Sequence, residues 1–452
     1  MAQRDKANGQ QNKRLYEQDA EPRSLLPNFN LPGTHRLLED VRSLMKQASR
    51  VNPYKPEEYW YPLSIATYDA EEVTAALDSL CSFRTTMWAK TNEFEQAFCR
   101  ALGYREGVMV NSGSSADLLI SFSLLSNDEW GLQRGDEILM PSITWPTQVW
   151  SVMMAGFVPV FVDADPYTLN MDIEDLKVRI TPRTRAIFVV HLMGNPCRMS
   201  EILEISSQHD LIVVEDCCEA LGAEVKGRPV GSFGVASSFS FFFSHHITTM
   251  EGGMIVTQER EPSDLFRLLR AHGWSRNLKY LDVPATAGLD PRYTFLNWGF
   301  NVRPTELQAA WGLVQLARLE TFERYRAENA AFLLDVLRPY RGVVDCLSVE
   351  KDAKCSWFAF PIMVSDDAPF RREDLARYLE ENGVETRPIL AGNLAMHPVK
   401  EVFPELKALR LPGADAIHER GLYLGLYPVE CRAKLERLSD LLVSFLDGHT
   451  RA

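Results

Sequence analysis

Four stretches of this sequence carry residue types able to do chemistry together. In NSGSSADLLISFSLL, Gly113, Ser114 and Ser115 stand between a predicted strand and a predicted helix. Free backbone N–H groups at a helix N-terminus, with hydroxyls beside them and a glycine that allows close approach, make a cradle for phosphate. A serine helix cap accounts for the same residues without a ligand. In LIVVEDCCEALGA a buried strand ends on Glu215 and Asp216, with Glu219 three residues further on. A carboxylate at the tip of a parallel strand faces the ligand crevice and can hold a proton on a ring nitrogen; a helix cap is the plainer reading. Trp145 of PSITWPTQVW follows another strand end, where its ring lies on a flat ligand or packs into the core. The fourth stretch, SSFSFFFSHHITTMEGGMIVT, closes an apolar strand with Ser240 and sets His245 and His246 before a Gly-bearing turn. Adjacent histidines are poor core residues because their ring nitrogens need partners. A metal site would need further ligands, and no HxH, HExxH or Cys/His cluster supplies them.

The elements that position these residues alternate between short apolar runs and amphipathic segments. Strands are expected at 107–112, 137–143, 158–163, 185–191, 211–216, 237–243 and 252–257. Helices such as SADLLISFSLL and MSEILEISSQH lie between them. That alternation gives a mostly parallel sheet with helices on its faces. After Asn301 a long helical run leads into a second α+β region containing SWFAFPIMV, the helix RREDLARYLEENG and the strand VETRPIL. The expected division is an N-terminal extension over 1–55, partly disordered, a large α/β domain over 56–315 and a small α+β domain over 316–452.

Composition narrows the function classes. The 452 residues carry 48 basic and 61 acidic side chains, a formal charge of −13, with 46% hydrophobic and 24% charged residues. This is an ordinary globular composition. It argues against a nucleic-acid-binding body, which needs clustered Lys and Arg. The eight cysteines are dispersed and show no CxxC or CxC spacing, so neither a disulfide framework nor a cysteine metal site is supported. No apolar run reaches 18 residues and the N-terminus lacks a signal-like apolar stretch. A cytoplasmic protein with no membrane partner is expected.

SGSS, the strand-end Trp, EDCCEALGA with GRPVGSFG, SFSF, EGG and the later GFNVRP occur in order from about residue 60 to the C-terminus. Together they resemble the pyridoxal-phosphate-dependent sugar aminotransferase family of the DegT/DnrJ/EryC1/StrS type. The resemblance implies an α/β protein of the fold type I, aspartate aminotransferase-like class, with a large mostly parallel sheet domain and a smaller C-terminal domain. It implies that Trp145 stacks on the cofactor ring and that Asp216 binds the pyridine nitrogen with Glu219 nearby. Gly113, Ser114 and Ser240 would hold the phosphate, helped by Asn301 of a neighbouring subunit in a homodimer. His272, Arg276, Arg303 and Arg387 are candidates for the sugar-nucleotide pocket, although a surface salt bridge suits each arginine equally well.

One departure redirects the chemistry. Family members that transaminate carry a lysine where His245 stands, because its amine forms the covalent link to the cofactor. Imidazole cannot form that link but can take a proton near neutral pH. A histidine there marks the sugar 3-dehydratase branch, which implies a non-covalent pyridoxal or pyridoxamine phosphate, a nucleotide-linked 4-keto-6-deoxysugar and His245 as base. His246 is assigned to positioning, and His397 to a surface loop. Removing the C3 hydroxyl requires two electrons. An iron–sulfur class of 3-dehydrase uses a CxC group beyond the EGG turn, whereas no cysteine lies between Cys218 and Cys346 here. L-glutamate is therefore the expected donor, with no reductase partner. The rivals are a sugar-nucleotide aminotransferase using Lys226 or Lys279, and a non-catalytic cofactor-binding regulator. The nucleotide, GDP, CDP or dTDP, stays open.

Overall fold

In the computed structural model, which describes residues 34–51, 59–127, 129–284, 288–406 and 410–450, the apolar runs become seven strands of one sheet. These are β1 (Glu106–Val110), β2 (Glu137–Pro141), β3 (Val158–Val162), β4 (Thr184–Val190), β5 (Ile212–Asp216), β6 (Ala236–Ser240) and β7 (Gly253–Thr257). Their order is β1-β7-β6-β5-β4-β2-β3. The run from β6 to β3 is parallel throughout, and β7 is antiparallel to both neighbours. The mostly parallel sheet expected from the sequence is present. Around it lie α1 (Thr34–Val51), α2 (Ala70–Cys81), α3 (Ala89–Leu102), α4 (Gly113–Ser126), α5 (Pro146–Ala155), α6 (Ile173–Arg179), α7 (Met199–His209) and α8 (Arg260–Arg270).

Side chains alternate across a strand, so a strand covered on both faces feeds two cores. Ile138, Met140, Phe188, Val190 and Val214 pack with Leu119 and Ile120 of α4. Leu139, Ile187, Val189 and Val213 pack with Met199, Ile202 and Ile205 of α7. The same alternation at the end of β5 sends Glu215 and Asp216 to opposite sides.

The long helix α9 (Glu306–Leu337) starts at a capping box made by Thr305 and Gln308, which satisfies first-turn amides reciprocally. It runs unbroken across residues 315–316, packing on α2 and α3 near its start and also on α12 (Arg432–Thr450). Beyond it, β8 (Val344–Cys346), β9 (Phe360–Val364), β10 (Thr386–Pro388) and β11 (Gly421–Leu424) form an antiparallel sheet in the order β8-β9-β11-β10. The helices α10 (Arg372–Glu381) and α11 (Pro412–Arg420) accompany it.

Two expectations change. The strand expected over 237–243 stops at Ser240, and Phe242 and Phe243 leave the sheet exposed. The Phe241 amide donates to the Gly252 carbonyl and the Thr249 amide to the Phe241 carbonyl, closing a loop that carries His245 over the strand end. The extension expected to be partly disordered contains α1, whose Leu38, Val41 and Met45 recur at helical spacing. Its Arg42 pairs with Glu71 of α2. Residues 1–33 lie outside the described residues. Among those described, no helix is long and apolar enough to cross a membrane.

Candidate active site

The carboxyl ends of β2, β4, β5 and β6 meet the N-terminus of α4 around a cavity of about 430 Å³, a size that suits a small ligand. Gly113, Ser114, Trp145, Asp216, Glu219, Ser240 and His245 all line it. Asn301, His272, Arg276, Arg303 and Arg387 do not. Arg387 comes nearest, since it pairs across the ladder with Tyr423, a lining residue.

The phosphate-cradle end is built by helix geometry. Ser112 caps α4, its hydroxyl accepting from the Ser115 amide at 3.1 Å. The first-turn amides of Gly113 and Ser114 are left without an intrahelical acceptor, and an anion fits such donors. A Cβ at Gly113 would stand 2.6 Å from Ser240 Cβ and 3.0 Å from Cys218 Sγ, so the close approach of α4 to β6 requires glycine. Ser114 Oγ lies 3.1 Å from Thr147 Oγ1. Trp145 precedes Pro146, the first residue of α5, and is 57% exposed. That exposure excludes the core reading of its ring.

The floor is acidic and dry. Asp216 accepts from the Cys218 amide at 2.7 Å, yet burial holds its carboxyl above the usual carboxylate range. Asp117, on the face of α4 turned to β6, accepts from the Ser238 hydroxyl at 2.5 Å. Burial and the neighbouring Asp216 raise Asp117 well above its ordinary value. Glu219 accepts from the Met193 amide at 2.9 Å, and burial pushes it up to about 8. Glu215, one residue before Asp216, turns to the other face. There it takes hydrogen bonds from His191 and from the amides of Gly231, Phe233 and Gly234. These more than offset the burial that would raise it, and hold its pKa below the ordinary value. Glu215 ties the GRPVGSFG loop to β5 and takes no place in the cavity. His191, Glu215 and Cys217 lie within metal-binding reach of one another. The His191 Nδ1 already accepts from the Cys197 amide and its Nε2 faces Glu215, so the imidazole has no free lone pair.

His245 stands at the opposite wall between aromatic edges, with ring centroids 6.0 Å from Phe242 and 5.1 Å from Phe358. Its Nδ1 is buried with no partner. Burial, and then the Arg326 guanidinium, push its pKa down to about 3. The ring is therefore neutral and has a lone pair to offer. His246 turns away: its Nε2 reaches the Ser356 carbonyl at 3.1 Å, which spends that nitrogen on structure. The segment carrying Phe358 is pinned where Gly194, at φ +82°, lets the Trp357 amide come within 2.5 Å of a would-be Cβ. Arg326 donates from below to the carbonyls of Trp357, Phe358 and Leu426.

Sequence reasoning missed Asp117, Tyr423, Phe358 and Arg326. Asp117 carried a signal, four residues after Gly113 and hence on the same helix face. The other three reach the cavity through tertiary packing alone. His397, expected on a surface loop, is half-buried and reaches the Ala391 carbonyl at 2.6 Å.

The donor set fits pyridoxal phosphate: a glycine-requiring amide cradle, an exposed indole, a buried carboxyl opposite and an orphaned imidazole nitrogen. Residues 66–442 match the family model described as the DegT/DnrJ/EryC1/StrS aminotransferase family. The GDP-4-keto-6-deoxy-D-mannose 3-dehydratase of Yersinia pseudotuberculosis is 34% identical over 389 residues, 84% of this chain and 98% of the relative. The structure of the Escherichia coli GDP-4-keto-6-deoxy-D-mannose 3-dehydratase with bound hydrated pyridoxal phosphate superposes with a TM-score of 0.81. It shares 34% identity and covers 85% of this chain and 100% of that one. A GDP-4-keto-6-deoxymannose 3-dehydratase holding a trapped geminal diamine of the cofactor with glutamate gives 0.80 at 34% identity, over 84% and 100% of the two chains.

Proposed function

Because this chain belongs to the DegT/DnrJ/EryC1/StrS aminotransferase family, we propose that it is a pyridoxal/pyridoxamine-phosphate-dependent 3-dehydratase of a nucleotide-linked 4-keto-6-deoxyhexose. The observation that carries the reading is the cavity wall itself. His245 stands where a transaminating member has its lysine, and no lysine lines the cavity among the described residues. The cofactor is then bound without a covalent link. Relatives and neighbours named as 3-dehydratases support the same branch.

The net reaction balances with L-glutamate as donor: ketosugar plus glutamate gives the 3-deoxy ketosugar, 2-oxoglutarate and ammonia. The bound cofactor supplies an amine for the sugar ketone and a ring that accepts an electron pair. This chain's residues do the rest. The Gly113 and Ser114 amides and the Ser240 hydroxyl hold the phosphate, Trp145 covers one ring face and Asp216 keeps the ring nitrogen protonated. His245, neutral at working pH, takes the proton whose removal starts the loss of the C3 hydroxyl. Glutamate as donor makes an iron–sulfur partner and a reductase unnecessary. The enzyme acts in the cytoplasm as a homodimer, with Asn301 serving the neighbouring site. Exposed Tyr293, Phe295 and Trp298 beside Asn301 offer the apolar surface such a dimer needs.

The test is incubation with pyridoxal phosphate, glutamate and GDP-, CDP- and dTDP-linked 4-keto-6-deoxysugars, read by mass spectrometry and an ammonia assay. Loss of the C3 oxygen with one ammonia per turnover is expected, the GDP sugar being first choice because the relatives named above act on it. Accumulation of an aminosugar retaining its C3 oxygen would refute the reading in favour of an aminotransferase. No glutamate consumption with any sugar would favour a regulator.

A further inference from the structure

The cavity floor holds two buried carboxyls where a protonated ring nitrogen needs one. Asp216 and Asp117 are 2% and 1% exposed. Between them lies Ser238, fully buried on the Asp216 side of the sheet. Its hydroxyl donates to Asp117 Oδ1 at 2.5 Å, and its oxygen also hydrogen-bonds with Asp216. A hydroxyl has one proton to give and lone pairs to accept another. The three residues therefore form a chain, carboxyl to hydroxyl to carboxylate, along which one proton can pass. Two like charges buried together cannot both persist without a cation, and such a pair keeps one proton between its members. Other groups bearing on Asp216 are Cys218, whose amide and thiol both contact it, and His191, whose ring is held by Glu215 on the opposite face. None of them is a cation placed to neutralise the pair.

We propose that Asp117, Ser238 and Asp216 form a relay that stores one proton beneath the cavity and hands it to the cofactor's ring nitrogen when the ring settles on Asp216. The proposal rests on the cofactor reading above and assigns Asp117 as a positioning residue. In the handover a carboxylic O–H breaks and a ring N–H forms. The pair goes from −1 to −2 and the ring from 0 to +1, so the buried charge is unchanged and no proton is drawn from solvent. The Ser238 hydroxyl then stabilises the ionised Asp117. When the ring leaves, the proton returns to the pair.

Two measurements on the full-length chain, stripped of cofactor, test this. Infrared difference spectroscopy of the apoprotein should show a protonated-carboxyl band. That band should vanish when pyridoxamine phosphate binds, and should persist with an analogue whose ring nitrogen is replaced by carbon. Calorimetric binding of pyridoxamine phosphate in buffers of different ionisation enthalpy counts protons exchanged. Asp117→Asn, which leaves Asp216 ionised in the apoprotein, should draw about one proton more per site from solvent than the native chain. An unchanged proton count in a folded Asp117→Asn variant refutes the relay. If that variant does not fold, the native spectra decide alone. Binding with no band, or with a band that persists, overturns the handover while leaving the cofactor reading intact. No binding of pyridoxamine phosphate overturns the cofactor reading and the handover with it.

Discussion

Replacing His245 by asparagine separates chemistry from folding more cleanly than any other change at this site. The Nδ1 atom is buried without a partner, so the substitution breaks no hydrogen bond there. It removes edge contacts with Phe242 and Phe358, worth about 0.5–1.5 kcal/mol apiece, and stability should fall by about 1–3 kcal/mol at most. The loss of a positioned base costs about 10²–10⁴-fold, or roughly 3–5 kcal/mol of barrier at about 1.4 kcal/mol per decade. The assay is a single turnover of enzyme preloaded with pyridoxamine phosphate, which isolates deoxygenation from the glutamate half of the cycle. Cofactor affinity, measured alongside, should move only a few-fold. The pH profile of the native enzyme adds a second arm. The base must be unprotonated, and burial with Arg326 behind it pushes His245 down to about 3. The active form therefore persists as pH falls, and the acid limb should lie below the value of about 6.5 typical of free imidazole. A folded His245→Asn enzyme within tenfold of native turnover would refute the base assignment. An acid limb at or above that value would refute the electrostatic account.

Gly113→Ala places a Cβ against Ser240 and Cys218; it should cost about 1–3 kcal/mol of stability and raise the cofactor dissociation constant at least about tenfold, and native affinity in a fluorescence titration would contradict the cradle. Arg326→Ala leaves the Trp357, Phe358 and Leu426 carbonyls without their donor. At about 1–3 kcal/mol for each buried group left unpaired, urea unfolding should register at least about 3 kcal/mol, and less than about 1 would show that water replaces the guanidinium. Glu219→Gln tests the raised carboxyl. The folded chain keeps that proton up to about pH 8 while the unfolded chain releases it near 4.5, so Glu219 lowers native stability progressively between those values. The variant should match native stability at pH 4 and exceed it at pH 8. A gap that shrinks with rising pH would reverse the sign of the burial effect.

What the sequence disclosed, and what it withheld, follows from the range of the interactions involved. Gly113, Asp216, Ser240 and His245 were legible because each ends or follows an apolar strand, and strand ends of a parallel sheet converge on one crevice. The exit of the chain from β6 after Ser240 was hidden, since Phe241, Phe242 and Phe243 continue the apolar run; only the hydrogen bonds to Gly252 and from Thr249 reveal the turn. Asp117 was readable in principle from its spacing to Gly113. Phe358 and Arg326 were not, because they arrive from the segment after β8 and from the middle of α9, and depend on the Gly194 close approach and on three carbonyls that no local pattern encodes. The helix α1 was overlooked because a polar N-terminal context masked its short apolar repeat.

Twice in this site, neighbours in sequence divide structure from chemistry. Glu215 and Asp216 point to opposite faces of β5, as consecutive strand residues must. The first is satisfied by three amides and His191 and fixes the loop that backs the sheet; the second keeps a raised carboxyl for a ring nitrogen. His245 and His246 repeat the division in a turn. His246 spends its Nε2 on the Ser356 carbonyl, and so holds the segment that brings Phe358 over the cavity. That same Phe358 edge helps strip water from His245. A lysine at position 245 would need only to be nucleophilic, whereas a histidine serving as a non-covalent base must stay unprotonated with its lone pair exposed to the cavity. A dry aromatic wall with a buried cation behind it supplies that state without any hydrogen-bonding partner. Exchanging His246 for a residue unable to donate to Ser356 would therefore disturb His245 through Phe358, although His246 itself does not line the cavity.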